Sequence, residues 1–162
     1  MSQNFHEERQ TVLKELASNN NLHSVLLNPG PSLTYFTGLH FHLSERPVVF
    51  ALPVEGLPTL ILPELEAGKA QELPFKAQVH TYGENPLTWG EVFKDALSNF
   101  PKSEFLAGME YRQMRLLEYN LLTGALPKIQ IEPAEEIIAQ LRMSKSTGEI
   151  EHMREAVRIA EN

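Results

Sequence analysis

The sequence predicts an α/β protein built on a sheet of mixed strand direction with helices on its faces. Three observations predict this. Short runs rich in Val, Leu, Ile and Phe are bounded by Pro, Gly and Asn clusters. The first three such runs can pair antiparallel, two of them across a short turn. From residue 64 onward, helical and extended patterns alternate, which places helices against a sheet.

Taken along the chain, Phe5, Val12, Leu13 and Leu16 recur at helical spacing and predict an amphipathic helix ending near Asn19-Asn20-Asn21. Ser24–Leu27 reads as a short strand, closed by Pro29-Gly30-Pro31. Ser32 is expected to cap a brief helix through Tyr35 that stops at Gly38. Pro47–Leu52 and Thr59–Leu62 read as strands, and Gly56 within the short turn between them predicts an antiparallel hairpin. Glu64–Glu72 reads as a helix, Gln78–Thr81 as a strand and Leu87–Asn99 as a helix carrying Trp89, Val92, Phe93 and Leu97. Phe105–Met109 is a strand, followed by a helix with Met114, Leu116, Leu117, Leu121 and Leu122. Lys128–Ile131 is the last strand and Ala134–Leu141 a helix. Met143–Thr147 is a polar hinge, and Gly148–Asn162 is a charged helix with Ile150, Met153, Ala156, Val157 and Ala160 along one side. That division separates residues 1–143, a compact domain, from 144–162, a hinge and linker helix. Trp89 and the Leu-rich helices are read as core.

Composition narrows the function classes. At 162 residues, 42% hydrophobic and 22% charged, the chain suits an ordinary globular domain with its own core. Twenty-one acidic against fourteen basic residues give a net charge of −7, which disfavours binding to nucleic acid or to anionic membranes. Cys is absent, so a disulfide framework, a thiolate metal site and a cysteine nucleophile are excluded. The first residues lack the apolar core of a signal peptide, and no apolar run approaches the length of a membrane span. The expected setting is the cytoplasm, with no nucleic-acid and no membrane partner.

Asp95 is the only aspartate. Two-metal hydrolysis needs several carboxylates converging on ions about 4 Å apart, and no such cluster of Glu stands at strand ends. A nuclease of the RNase H type is thereby disfavoured although the fold is compatible. His40 and His42, with Glu45 and Arg46 behind them, form the densest polar group between two apolar segments. Alternate residues of an extended segment point the same way, so the imidazoles could converge on one ligand or metal; a solvated loop is the plain alternative. A zinc site needs three or four ligands, and the sequence nearby supplies no third. His152 and Glu155 lie one helical turn apart, but among Glu and Arg neighbours they read as a solvated face. Asn28-Pro29-Gly30-Pro31-Ser32 lacks the donors and the Lys of a phosphate loop and reads as a rigid turn.

Four stretches, in this order, resemble the creatinase/prolidase/aminopeptidase P family: Asn28–Gly38 ending Tyr-Phe-Thr-Gly, the hairpin Phe50–Glu64, Gly108-Met109-Glu110, and Leu141–Ser146 with Glu149, Ile150, Met153, Arg154 and Ala156. The resemblance covers nearly the whole chain and is to the family's N-terminal domain. It implies a three-layer α/β/α fold with an RNase H-like motif and one antiparallel strand. It further implies a parent Xaa-Pro metallopeptidase whose chemistry lies in a C-terminal "pita-bread" domain. That domain would hold two divalent ions (Mn, Co or Zn) through Asp, His and Glu ligands and would cleave proline-containing peptides. No catalytic or metal residue carries over to this chain, which is expected to be inactive by itself. What the resemblance implies for an N-terminal domain is homodimerisation and shaping of the substrate pocket of a neighbouring subunit. The matching contact residues are His40, His42, Glu45 and Arg46. The competing reading is a free-standing RNase H-like binding module without peptidase activity.

Overall fold

The structure is a computed structural model and describes residues 5–161. The elements are α1 (Phe5–Asn19), β1 (Ser24–Leu27), α2 (Pro31–Thr37), β2 (Val49–Pro53), β3 (Thr59–Pro63), α3 (Ala67–Ala70) and β4 (Gln78–Tyr82). They continue with α4 (Pro86–Ala96), β5 (Phe105–Met109), α5 (Leu116–Ala125), β6 (Ile129–Pro133), α6 (Glu135–Met143) and α7 (Thr147–Ala160). The six strands form one sheet in the order β4-β3-β2-β1-β5-β6. β2 is antiparallel to both neighbours, and every other pairing is parallel. The mixed α/β fold and its single antiparallel strand are as expected.

The expected hairpin is present, with Val49 opposite Ile61, Phe50 opposite Leu60 and Ala51 opposite Thr59. Gly56 in its turn has φ 95°, a left-handed conformation that glycine adopts without strain. Alternation along the strands sends side chains to two cores. Val25, Leu27, Phe50, Leu52, Leu60 and Leu62 meet Leu13, Leu33, Phe36, Ile137 and Ile138 from α1, α2 and α6 on one face. Leu26, Val49, Ala51, Ile61, Phe105, Ala107 and Met109 meet Trp89, Phe93 and Leu122 from α4 and α5 on the other. Strands covered on both faces have no polar face to show, which is why they read as continuous apolar runs.

The structure departs from expectation at several places. In α1 the buried residues are Gln10, Leu13 and Ala17, whereas Phe5 and Val12 remain half exposed along a groove beside Tyr35 and Leu141. Buried Gln10 is accommodated because its Nε2 donates to the Phe36 carbonyl at 2.8 Å. Ser32 does not cap α2. Gly30 holds the cap position, Pro31 begins the helix, and the Ser32 hydroxyl turns to Glu110 instead. Glu64–Glu72 is not one helix but a 3-10 turn, Glu64–Glu66, followed by the single-turn α3. Met114 precedes α5 instead of lying in it.

α7 forms as predicted, opened by a capping box in which Ser146 and Glu149 exchange side-chain bonds with each other's backbone N–H. All its residues from Ile150 onward are exposed. An ion pair from Arg9 to Glu149 at 3.0 Å ties its first turn to the domain. No helix among the described residues is long and apolar enough to cross a membrane.

Candidate functional site

β1, β3, β4, β5 and β6 run in one direction, so the turns following them gather at one edge of the sheet, where α/β proteins commonly place their sites. β2 runs the other way, and the segment that leads into it, residues 38–48, crosses that edge. It starts where Gly38, at φ 77°, ends α2 with its N–H on the Thr34 carbonyl. Next, the Leu39 N–H donates to the Thr37 hydroxyl at 3.1 Å. Leu39 and Phe41 are buried in the core on the α2 side, so His40, His42 and Leu43 are left at the surface.

The alternation predicted for His40 and His42 holds. Their rings meet edge to face, with centroids 5.0 Å apart. Lys69 of α3 donates to the His40 carbonyl at 3.0 Å and lies 4.9 Å from the Phe41 ring centroid. Glu45 and Arg46 pair at 2.8 Å, and Arg46 also reaches Glu84 at 2.7 Å. Among the described residues no hydrogen bond joins the histidine pair to the Arg46 group. The four predicted residues therefore form two adjacent groups on one segment.

The segment is fastened from beneath. Tyr82 of β4, 2% exposed, donates its hydroxyl to the Pro47 carbonyl at 2.6 Å. Burial pushes the Tyr82 phenol well above its ordinary value, with the Arg46 charge opposing, so it stays a protonated donor at any ordinary pH. Arg115, just before α5, donates through Nη1 to the Ser44 carbonyl, while Nε and Nη2 grip the carboxylate of Glu118. Glu118 is completely buried. The segment is thus a surface ridge whose backbone is anchored at the Ser44 and Pro47 carbonyls.

Sequence reasoning missed Arg115, Glu118, Tyr82, Lys69 and Glu84. Glu118 had a signal: it lies four residues before Leu122 and seven before Ala125, the buried face of α5, with Arg115 one turn earlier. The others meet the segment only through tertiary folding.

A second polar group stands at the same edge, between β1 and β5. The Ser32 hydroxyl donates to Glu110 at 2.7 Å, and Arg142 Nη1 donates to the Ser32 Oγ at 3.4 Å. Burial raises the Glu110 carboxyl above its ordinary value; Ser32 and Arg142 oppose that shift and Glu135 adds to it. Asp95 stands apart from both groups, 3.3 Å from His80.

Chemically, the ridge offers two exposed imidazoles and a guanidinium already shared between two carboxylates. Such a surface can hydrogen-bond a carbonyl or carboxylate. Among the described residues no group of three or more His, Cys, Asp or Glu is placed to hold a metal ion. The residues present do not fit a two-ion centre.

The chain matches the Creatinase/Prolidase N-terminal domain family over residues 9–144. YkvY of Bacillus subtilis (strain 168), provisionally named a dipeptidase, is 27% identical over 127 residues, covering 78% of this chain and 35% of that protein. Among solved structures, a dipeptidase from Pyrococcus horikoshii OT3 is 25% identical with a TM-score of 0.78, over 94% of this chain and 41% of that one. A recombinant prolidase from Thermococcus sibiricus gives a TM-score of 0.83 at 24% identity, over 99% of this chain and 42% of that one. The separate N-terminal domain of an X-Pro dipeptidase from Streptococcus pyogenes gives 0.68 at 15% identity, over 82% of this chain and 98% of that one. These last two likenesses speak for the fold. The chain spans about a third of the length of the curated relative.

Proposed function

The chain belongs to the Creatinase/Prolidase N-terminal domain family, and from that premise we propose that it serves as the non-catalytic part of a longer Xaa-Pro dipeptidase or aminopeptidase. In this reading it assembles as a homodimer, and the ridge of residues 38–46 forms part of the wall of the neighbouring subunit's substrate pocket. Hydrolysis of the Xaa-Pro bond belongs to a C-terminal metal-dependent domain, in which two divalent ions would activate water. His40, His42 and Arg46 contribute hydrogen bonds to the peptide.

The observation that carries this reading is α7. Met143, Ile150, Met153 and Val157 line one exposed depression along it, and a helix with such a row requires an apolar surface to cover it. The fold is shared with a prolidase and a dipeptidase, each more than twice as long, which supports a further domain as that surface. The ridge supports the second half of the reading, because it exposes donors on a backbone anchored at the Ser44 and Pro47 carbonyls.

The test is made in a longer protein that carries this domain. His42→Ala and Arg46→Ala are each expected to raise KM for an Xaa-Pro dipeptide roughly tenfold, with kcat and melting temperature retained. Kinetics equal to those of the unaltered protein would reduce the ridge to a solvated connection.

A further inference from the structure

A carboxylate with no exposure at all is costly to keep ionised, and a buried ion pair is poor as a source of stability. Glu118 lies in the first turn of α5, on the helix face that also buries Leu122 and Ala125, where Leu or Met would fill the space without that cost. Proximity to the positive end of α5 offsets the cost only in part. What the pair supplies is geometry. A guanidinium is a rigid plane, so once Nε and Nη2 are seated on the Glu118 carboxylate, the direction of Nη1 is set. Nη1 ends on the Ser44 carbonyl, 71 residues away in sequence. Three residues on, Tyr82 holds the Pro47 carbonyl. Between these two carbonyls the Ser44 hydroxyl receives the Arg46 N–H at 3.2 Å.

We propose that Arg115, oriented by buried Glu118, is a positioning residue that sets the backbone of residues 42–47 and with it the placement of His42 and Arg46. Tyr82 provides the second fixed point. Arg115 precedes α5, and the Tyr82 side chain joins the core on the α4–α5 face of the sheet, opposite α2, from which the segment departs. The clamp therefore ties the ridge across both layers. The functional part of the inference rests on the reading of the ridge as a pocket wall.

The informative variant is the double substitution Arg115→Met with Glu118→Leu, which replaces an ion pair by apolar side chains of similar size and leaves no charge buried alone. In this chain its thermal midpoint should stay within a few degrees of the unaltered value, whereas amide hydrogen exchange at residues 42–46 should accelerate roughly tenfold. Exchange in β1 and β2 should not change. Tyr82→Phe, which removes only the hydroxyl, should accelerate exchange at Arg46 and Val48, and serves if the double variant does not fold. Unchanged exchange at 42–46, or a uniform rise throughout the sheet, would overturn the clamp. In the longer protein the double variant should raise KM and leave kcat in place; a fall in kcat at constant KM would mark a merely structural role. Accelerated exchange with kinetics unaltered in both this variant and His42→Ala would leave the clamp standing and refute the pocket wall.

Discussion

Gly108 shows how much one methyl group can matter here. A Cβ at this position would lie 2.8 Å from the Ala134 Cβ and 2.8 Å from Leu22 Cδ1. Ala134 has no rotamer by which to withdraw, so α6 or β5 would have to shift. Gly108→Ala should destabilise the protein by about 1–3 kcal/mol in urea unfolding. Gly90→Ala in α4 meets nothing within 4 Å and should instead add about 0.5–1 kcal/mol, as Ala does in a helix interior. Equal effects of the two would refute the packing argument. His6 gives a prediction in pH. Burial lowers its pKa below 6.5; its bond to the Tyr35 carbonyl opposes that shift and the Arg9 charge adds to it. The fold therefore prefers the neutral ring. The stability this contributes is complete above the ordinary value and is lost as pH falls through 6.5 toward the lowered folded value. His6→Gln should flatten the decline in stability between about pH 7 and pH 5; an unchanged slope would assign the decline to other groups.

At the level of elements, α7 is the clearest case of structure held by local chemistry. The capping box satisfies donors at its start, and Arg9 helps fix Glu149. Burial works against ionising Glu149, but the Ser146 bonds and Arg9 together hold its carboxyl below the ordinary value. Packing contributes little, since none of its residues is buried. Removing residues 147–162 should therefore shift the thermal midpoint of the remaining domain by less than about 4 °C, the scale of one partly exposed ion pair in a domain of this size. A larger loss would show that α7 packs within its own domain. The sequence was explicit about α7 because spacing and capping residues are local signals. It was misleading over Glu64–Glu72, where composition favours one helix but the chain forms a 3-10 turn and a single α-helical turn before Pro74 and the return toward β4.

For the whole molecule, the question is what covers the row of Met143, Ile150, Met153 and Val157. If it is available when the chain is studied by itself, copies should associate through it, and Met153→Glu with Val157→Glu should abolish that association in sedimentation without lowering the melting temperature. Association that survives the two charges would move the interface elsewhere on the domain.

By itself the sequence determined the class of fold, the hairpin, most strand positions, the two helix faces and the segment bearing His40, His42, Glu45 and Arg46. These follow from periodic burial and from turn and cap residues, whose preferences act over a few positions. Tertiary structure alone decided which side chains meet across the fold. Arg115 with Ser44, Ser32 with Glu110 and Arg142 with Ser32 are separated by 71, 78 and 110 residues. Such pairs leave no local pattern, because a polar residue that will be buried against a distant carbonyl looks, along the chain, like one that will face water.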